Sequence, residues 1–313
     1  MVARFLLSLL IGFGAAIGFL PALRLDARKR AGVLLACAVP ILLSPFTVPG
    51  EASFVRFLAA VCSFLILIKI YDLHRDAGRT SRIGWRTLLA FLPNWGSMVL
   101  RKLDAEPRLP KRENIARLTS GLAGLGAGVA INLWLFRLDW SAQPFAIEHA
   151  AKVMGLFCAL VPAGTTVGAI GRLAGGRTRE WFASPFLSRT PADFWRRYNR
   201  PVGQFFFEDT FKRVGGLHSP VRATLVTFAL SGVAHEYVFG IASGQVHGYQ
   251  LAYFLVQGCA VAATMRIRPG RLQVIPWIAG TVAFNLASSM IFFANLNLFV
   301  PFYSRALPGW LRW

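Results

Sequence analysis

Long apolar runs separated by short arginine-rich loops constrain this chain more than any other feature. The runs extend from Phe5 to Leu20, Ala31 to Phe46, Phe57 to Tyr71, Ile115 to Phe136, Ala150 to Gly171, Val221 to Ala242, Gly248 to Met265 and Gln273 to Phe302. A helix that crosses a bilayer needs about 20 mostly apolar residues, and in lipid each backbone polar group must be satisfied within its own segment. No run alternates with period two as the strands of an outer-membrane barrel do. The chain is 55% hydrophobic and only 15% charged, where a soluble domain carries about 25% charged residues. These features predict an all-α, multi-pass integral membrane protein of about eight transmembrane helices, built as a single domain over residues 1–313. The first run reads as a retained helix, not a cleaved leader, because further spans follow it.

Charge sets the expected orientation. The net charge is +20, and it is concentrated in the loops at 24–30, 72–117, 172–213 and 266–271. Basic loops stay on the cytoplasmic side, which places these four inside and the N-terminus outside. The bilayer in question is the inner membrane if the source is bacterial and the endoplasmic reticulum if it is eukaryotic. Nucleic acid is excluded as a partner, because no recognition motif accompanies the charge. Anionic lipids and anionic small molecules suit it better.

Several stretches need separate treatment. Ile83 to Leu100 is apolar but holds Leu92-Pro93-Asn94-Trp95-Gly96 and has basic flanks on both sides. It reads as re-entrant or interfacial. Gln273 to Phe302 is long for one span and fits one tilted helix or two segments. Gly124-Leu125-Gly126-Ala127-Gly128 follows no strand, so it reads as a close-packing helix face and not a dinucleotide loop. Cys37, Cys62, Cys158 and Cys259 lack ligand or CxxC spacing and read as buried thiols, with neither a disulfide nor a metal site. No internal repeat supports a transporter architecture.

The longest polar loop carries an ordered pattern as well as charge. Thr190-Pro191-Ala192-Asp193 has the residues of a capped helix start. The helix then presents Phe194, Trp195 and Tyr198, with Asn199 one turn after Trp195 and Pro201 ending or kinking it. A second amphipathic piece follows with Phe205, Phe207 and Phe211, and both pieces would lie in the membrane interface. On residue type alone, Asn199 is equally a helix-end asparagine before a proline. Ser231-Gly232-Val233-Ala234-His235-Glu236-Tyr237 then sits inside the run from Val221 to Ala242. An ionisable pair at that depth is costly and marks a functional site unless it only links spans.

Together, Phe194-Trp195-Arg196-Arg197-Tyr198-Asn199-Arg200-Pro201-Val202 and the later His235-Glu236-Tyr237 within a span resemble the membrane-bound O-acyltransferase superfamily. Of its branches, the wax synthases and the sterol and diacylglycerol acyltransferases are the most similar. The resemblance covers Trp181 to about Ala242. It implies His235 as catalytic histidine and Asn199 as its polar partner. The aromatic-Asp-Trp-Trp-Asn box of the sterol and diacylglycerol enzymes is absent, Trp181-Phe182-Ala183-Ser184-Pro185-Phe186 standing in its place, which leaves the acceptor open. The implied reaction takes an acyl group from acyl-CoA, a co-substrate and not a bound cofactor, to a lipid-soluble alcohol.

The residues themselves are consistent with that chemistry. Acyl transfer to an alcohol needs a base for the hydroxyl proton and stabilisation of the developing oxyanion. An imidazole, with an ordinary pKa of about 6.5, can take that proton. Ser231 and Gly232 share the helix face of His235, so Ser231 is expected to help fix the ring and Gly232 to leave room beside it. Glu236 lies about 100° away around the helix and is expected to meet another segment. Arg196, Arg197 and Arg200 suit the phosphates of coenzyme A. Trp195, Tyr198, Ser231 and Glu236 complete the expected substrate-binding set. Acylation of a polar or isoprenoid acceptor, a transporter and a non-catalytic lipid-binding scaffold remain as alternatives, and the chain leaves a homo-oligomer open.

Overall fold

The computed structural model describes residues 1–106 and 108–312; within the expected domain over 1–313, positions 107 and 313 lie outside the described residues. Twelve α-helices are described: α1 (Val2–Phe19), α2 (Ala27–Leu43), α3 (Ser53–Arg75), the single turn α4 (Ala77–Thr80), α5 (Trp85–Phe91), α6 (Lys111–Leu135), α7 (Phe145–Leu173), α8 (Pro191–Arg197), α9 (Arg200–Phe206), α10 (Pro220–Ser243), α11 (Tyr249–Thr264) and α12 (Val274–Leu296). No strand occurs among the described residues. Seven helices are long and apolar enough to cross a membrane. The eighth, α11, has 16 residues, fewer than a lipid-exposed span needs. It packs between α10 and α12. The protein is thus an all-α, multi-pass integral membrane protein.

The helices form three sets. α1, α2 and α3 pack around Phe19, Ile41, Ile66 and Ile70. α6 and α7 form a close antiparallel hairpin. Its closeness comes from glycine: a Cβ on Gly128 would stand 2.3 Å from the Cys158 carbonyl oxygen, and one on Gly124 would stand 3.0 Å from Pro162. The packing face is Gly121, Gly124 and Gly128, whereas Gly126 faces open space. The third set is α10, α11 and α12, in which Gly232 and Gly258 admit the neighbouring helix at similarly short range.

The stretch from Ile83 to Leu100 does not span. α5 ends at Phe91, and the chain then wraps the ammonium group of Lys69, wholly buried on α3. Lys69 Nζ donates to the carbonyls of Phe91, Asn94 and Ser97 at 2.8, 2.9 and 2.6 Å. Three acceptors match its three N–H donors, so the irregular backbone is satisfied by protein and not by lipid. Gln273 to Phe302 resolves into one span, α12, after which residues 297–312 fold back over α7. The fold-back is held by Lys152, which donates to Phe302 O and pairs with Glu148 at 2.6 Å, and by Tyr249, which donates to Leu311 O.

The expected inside loops meet on one face. Asn94 Nδ2 donates to Arg177 O, Arg179 N donates to Gly96 O, Arg172 and Arg117 both pair with Glu180, and Arg101 pairs with Asp72 on α3 and Asp209 after α9. The cysteines correct the sequence reading: Cys158 and Cys259 are exposed on the apolar surface and Cys37 and Cys62 are half-buried. A thiol is apolar enough for a lipid-facing position to cost little.

Candidate active site

The segment before α10 builds the floor of the site. Thr190 Oγ1 accepts from Asp193 N at 3.1 Å and starts α8. The Asp193 carboxylate accepts from Arg189 N and from Arg196 and Arg197. Burial alone would raise the carboxyl pKa of Asp193, but the Arg197 hydrogen bond, the Arg189 N–H and the two arginine charges outweigh it and hold it below the usual range.

α8 ends at Arg197, two residues earlier than the sequence pattern suggests. Tyr198 is extended, and Asn199 adopts the left-handed conformation with φ 42° and ψ 52°. Asn199 is therefore not a helical residue on the aromatic face; it forms the corner between α8 and α9. Asparagine is one of the few side chains that tolerates this region. Backbone bonds bracket the corner: Ala183 N donates to Arg197 O and Arg200 N donates to Trp181 O. The corner borders a cavity of about 900 Å³ within the bundle.

That cavity follows α10 from Pro220 to Phe239. At the basic face it is bordered by Arg196, Arg266, Phe207, Phe211 and the exposed Leu217. At the far end it reaches Phe54, Phe57, Phe239 and Leu296. His235 lies between the ends, fifteen residues along α10 from Pro220, or about 22 Å at 1.5 Å per residue. Its Nδ1–H donates to the Ser231 carbonyl at 2.8 Å. That bond leaves Nε2 as the unprotonated nitrogen, and among the described residues no partner occupies it. The ring packs 4.3 Å, centroid to centroid, from Phe254, which also packs on Trp195.

The expected site residues separate into two groups. His235, Asn199, Trp195, Arg196, Tyr198 and Ser231 all border the cavity. Arg197, Arg200 and Glu236 do not. Arg197 is held by Asp193 and the Ala183 carbonyl. Arg200 is half-buried, and burial together with the nearby Arg179 lowers its pKa. Glu236 accepts from Gln250 N at 2.6 Å and Leu251 N at 3.0 Å, so it caps the positive end of α11. Two expected roles change accordingly. Ser231 orients the imidazole through its carbonyl and not its hydroxyl. Gly232 makes room for α11, since its Cβ would stand 3.0 Å from Leu251 Cα. Burial pushes the Tyr198 phenol up to about 12, so it enters the cavity wall as a neutral group.

The structure adds polar residues that the sequence pattern did not single out as site residues. Trp195 Nε1 donates to Gln257 Oε1 at 2.9 Å, and Gln257 Nε2 donates to Ser288 Oγ at 2.9 Å and to Asn285 Oδ1 at 3.3 Å. Gln257 is fully buried in α11. On α12, Thr281, Asn285 and Ser289 border the cavity at successive turns, and the buried Thr281 hydroxyl has no hydrogen-bond partner among the described residues. The available signal was a polar side chain inside an apolar run, which normally faces the bundle interior. A second histidine, His149, is fully buried between the Tyr303 hydroxyl and Ser289, and joins α7, α12 and the C-terminal segment.

Comparison with known families matches residues 133–293 to the membrane-bound O-acyltransferase family. Over 222 residues, 68% of the chain, the sequence is 27% identical to a sterol O-acyltransferase 1 of Saccharomyces uvarum. The matched region covers 34% of that protein, so the chain spans about a third of the relative's length.

Proposed function

The chain belongs to the membrane-bound O-acyltransferase family, and from that premise we propose that it moves a fatty acyl group from a coenzyme A thioester to the hydroxyl of a lipid-soluble alcohol, giving a wax ester or neutral lipid. The observation that carries this reading is the open Nε2 of His235 inside a cavity that joins an arginine-bordered mouth to an aromatic end deep in the bilayer. Acyl-CoA is charged at one end and apolar at the other, and the cavity has the same polarity. Arg196 suits the phosphates at the mouth, while the acyl chain lies among phenylalanines.

In the proposed reaction Nε2 takes the proton of the acceptor hydroxyl as its oxygen attacks the thioester carbon. The C–S bond breaks, and the imidazolium returns the proton to the leaving thiolate. The ring is then neutral again, and ester and free coenzyme A are the products. The Nδ1 bond to the Ser231 carbonyl holds the tautomer this requires. In this reading the Asn199 amide, which borders the same cavity, orients the thioester carbonyl or the hydroxyl. No other base borders this part of the cavity among the described residues.

The test is thiol release by purified protein in detergent, using a panel of acyl-CoAs and alcohols. Release that requires both substrates, and that falls about 10²- to 10⁴-fold in His235→Ala without loss of monodispersity, is the expected result. Release by His235→Ala at the wild-type rate overturns the proposal. One observation favours a second acceptor class, alcohols bearing further polar groups. Thr281, Asn285 and Ser289 offer hydroxyl and amide groups along one cavity wall, and the panel therefore includes isoprenoid and sugar alcohols.

A further inference from the structure

A second concavity lies on the outside of the bundle at the basic end of α10. It is an open groove of about 620 Å³ bordered by Ser219, Pro220, Val221, Arg222, Leu225, Val226 and Arg266. Its floor is apolar. Val221, Leu225 and Val226 run along the first turns of α10 in the direction of the bilayer centre, and Val221 is half exposed. Arg222 and Arg266 stand at its rim, both exposed. Among the described residues neither has a hydrogen-bond or carboxylate partner. This distinguishes them from Arg101, Arg117, Arg172 and Arg179 on the same face, each bound to an acid.

We propose that this groove docks an acidic phospholipid of the leaflet on the basic face, its phosphate held between Arg222 and Arg266 and one acyl chain lying on Val221, Leu225 and Val226. Two guanidinium groups over an apolar strip at the end of a transmembrane helix match the two halves of such a molecule: planar, bidentate donors for the phosphate and a hydrocarbon surface for the tail. α10 sets the depth on one side, since Val221 and Arg222 sit in its first turn and Leu225 and Val226 follow about one turn deeper, while Arg266 approaches from the segment after α11. A free phosphate compound would use only the rim and leave the strip against lipid. A zwitterionic phospholipid brings its own cation to the same place and gains less from the pair. Arg266 borders both this groove and the mouth of the His235 cavity, so the headgroup would sit beside the opening.

The experiment is native mass spectrometry of the full chain in detergent, titrated separately with phosphatidylglycerol and phosphatidylcholine. Wild type is expected to retain one phosphatidylglycerol in preference to phosphatidylcholine. Arg222→Gln should weaken that retention about fivefold, and the Arg222→Gln/Arg266→Gln double variant further, as each cation at a membrane surface contributes about a fivefold factor. Arg86→Gln, which removes an exposed arginine outside the groove, should leave it unchanged. An excess of inorganic phosphate should not displace the lipid. Equal retention of the two lipids, an equal loss in Arg86→Gln, or displacement by inorganic phosphate would each overturn the proposal. A thermal melt of every variant separates lost lipid from lost fold, and Arg222→Lys, which keeps the charge and loses the bidentate fork, should bind between wild type and Arg222→Gln.

Discussion

At the scale of single residues, two backbone features shape the candidate site, the left-handed corner at Asn199 and the Ser231 carbonyl that holds His235. Asn199 occupies a left-handed corner, and this conformation costs most side chains about 1–2 kcal/mol. Its amide and its conformation can therefore be tested apart. Asn199→Gly should keep the melting temperature of wild type and lose acyl transfer. Asn199→Ala should lose both activity and about 1 kcal/mol of stability, measured by thermal melts in detergent beside thiol release. Full activity in Asn199→Gly would mean the residue is present only for its dihedral angles. Ser231 offers the converse case. Its carbonyl holds His235 Nδ1, a bond any residue at that position can supply, so Ser231→Ala should turn over within a few-fold of wild type. Loss of activity there would show that the hydroxyl has a role of its own.

At the scale of elements, the spacing of small residues and the capping of short helices decide the local geometry. Gly128 touches the α7 backbone and Gly126 touches nothing within 4 Å. Gly128→Ala should therefore cost about 1–3 kcal/mol by forcing α6 from α7, while Gly126→Ala should be neutral or slightly stabilising; differential scanning of the two variants separates them. α8 depends on its cap. Because the Asp193 pKa is depressed in the folded protein, its contribution is complete at neutral pH and disappears as pH falls through the folded value, which lies under the ordinary aspartate value. Asp193→Asn should cost about 1 kcal/mol at neutral pH and should show less acid sensitivity than wild type over that range. The cap was readable from Thr190-Pro191-Ala192-Asp193, since N-cap chemistry is local. The end of α8 was not. The pattern ran on to Asn199, but backbone bonds from Trp181 and Ala183, far along the chain from a helical repeat, stop the helix at Arg197.

At the scale of the whole molecule, buried charge joins the parts. Arg101 bridges Asp72 on α3 and Asp209 beneath the cavity mouth, and the two carboxylates are 1% and 2% exposed. Arg101→Met should leave Asp72 with only the Leu100 N–H and Asp209 with only the distant Arg213 and cost about 3 kcal/mol, with part of the loss recovered by adding Asp72→Asn and Asp209→Asn. The same melts check it; an unshifted Arg101→Met would show the bridge to be incidental. The spans, the basic face and the motifs around Asn199 and His235 could be read from the order of residues, because hydrophobic length and charge placement are set by the lipid and act on each segment separately. Arg197 and Glu236 looked equally suited to the site, yet Arg197 is held by Asp193 one turn earlier in α8 and by the Ala183 carbonyl, and Glu236 by the α11 N-terminus; Arg200 does not border the cavity either. Asn285 and Thr281 became part of the cavity wall in the same way, with Gln257 buried behind it as the partner of Trp195. Which polar group faces a shared space and which closes a helix end depends on how the helices are placed against one another, and that arrangement follows from close contacts between segments distant in the chain.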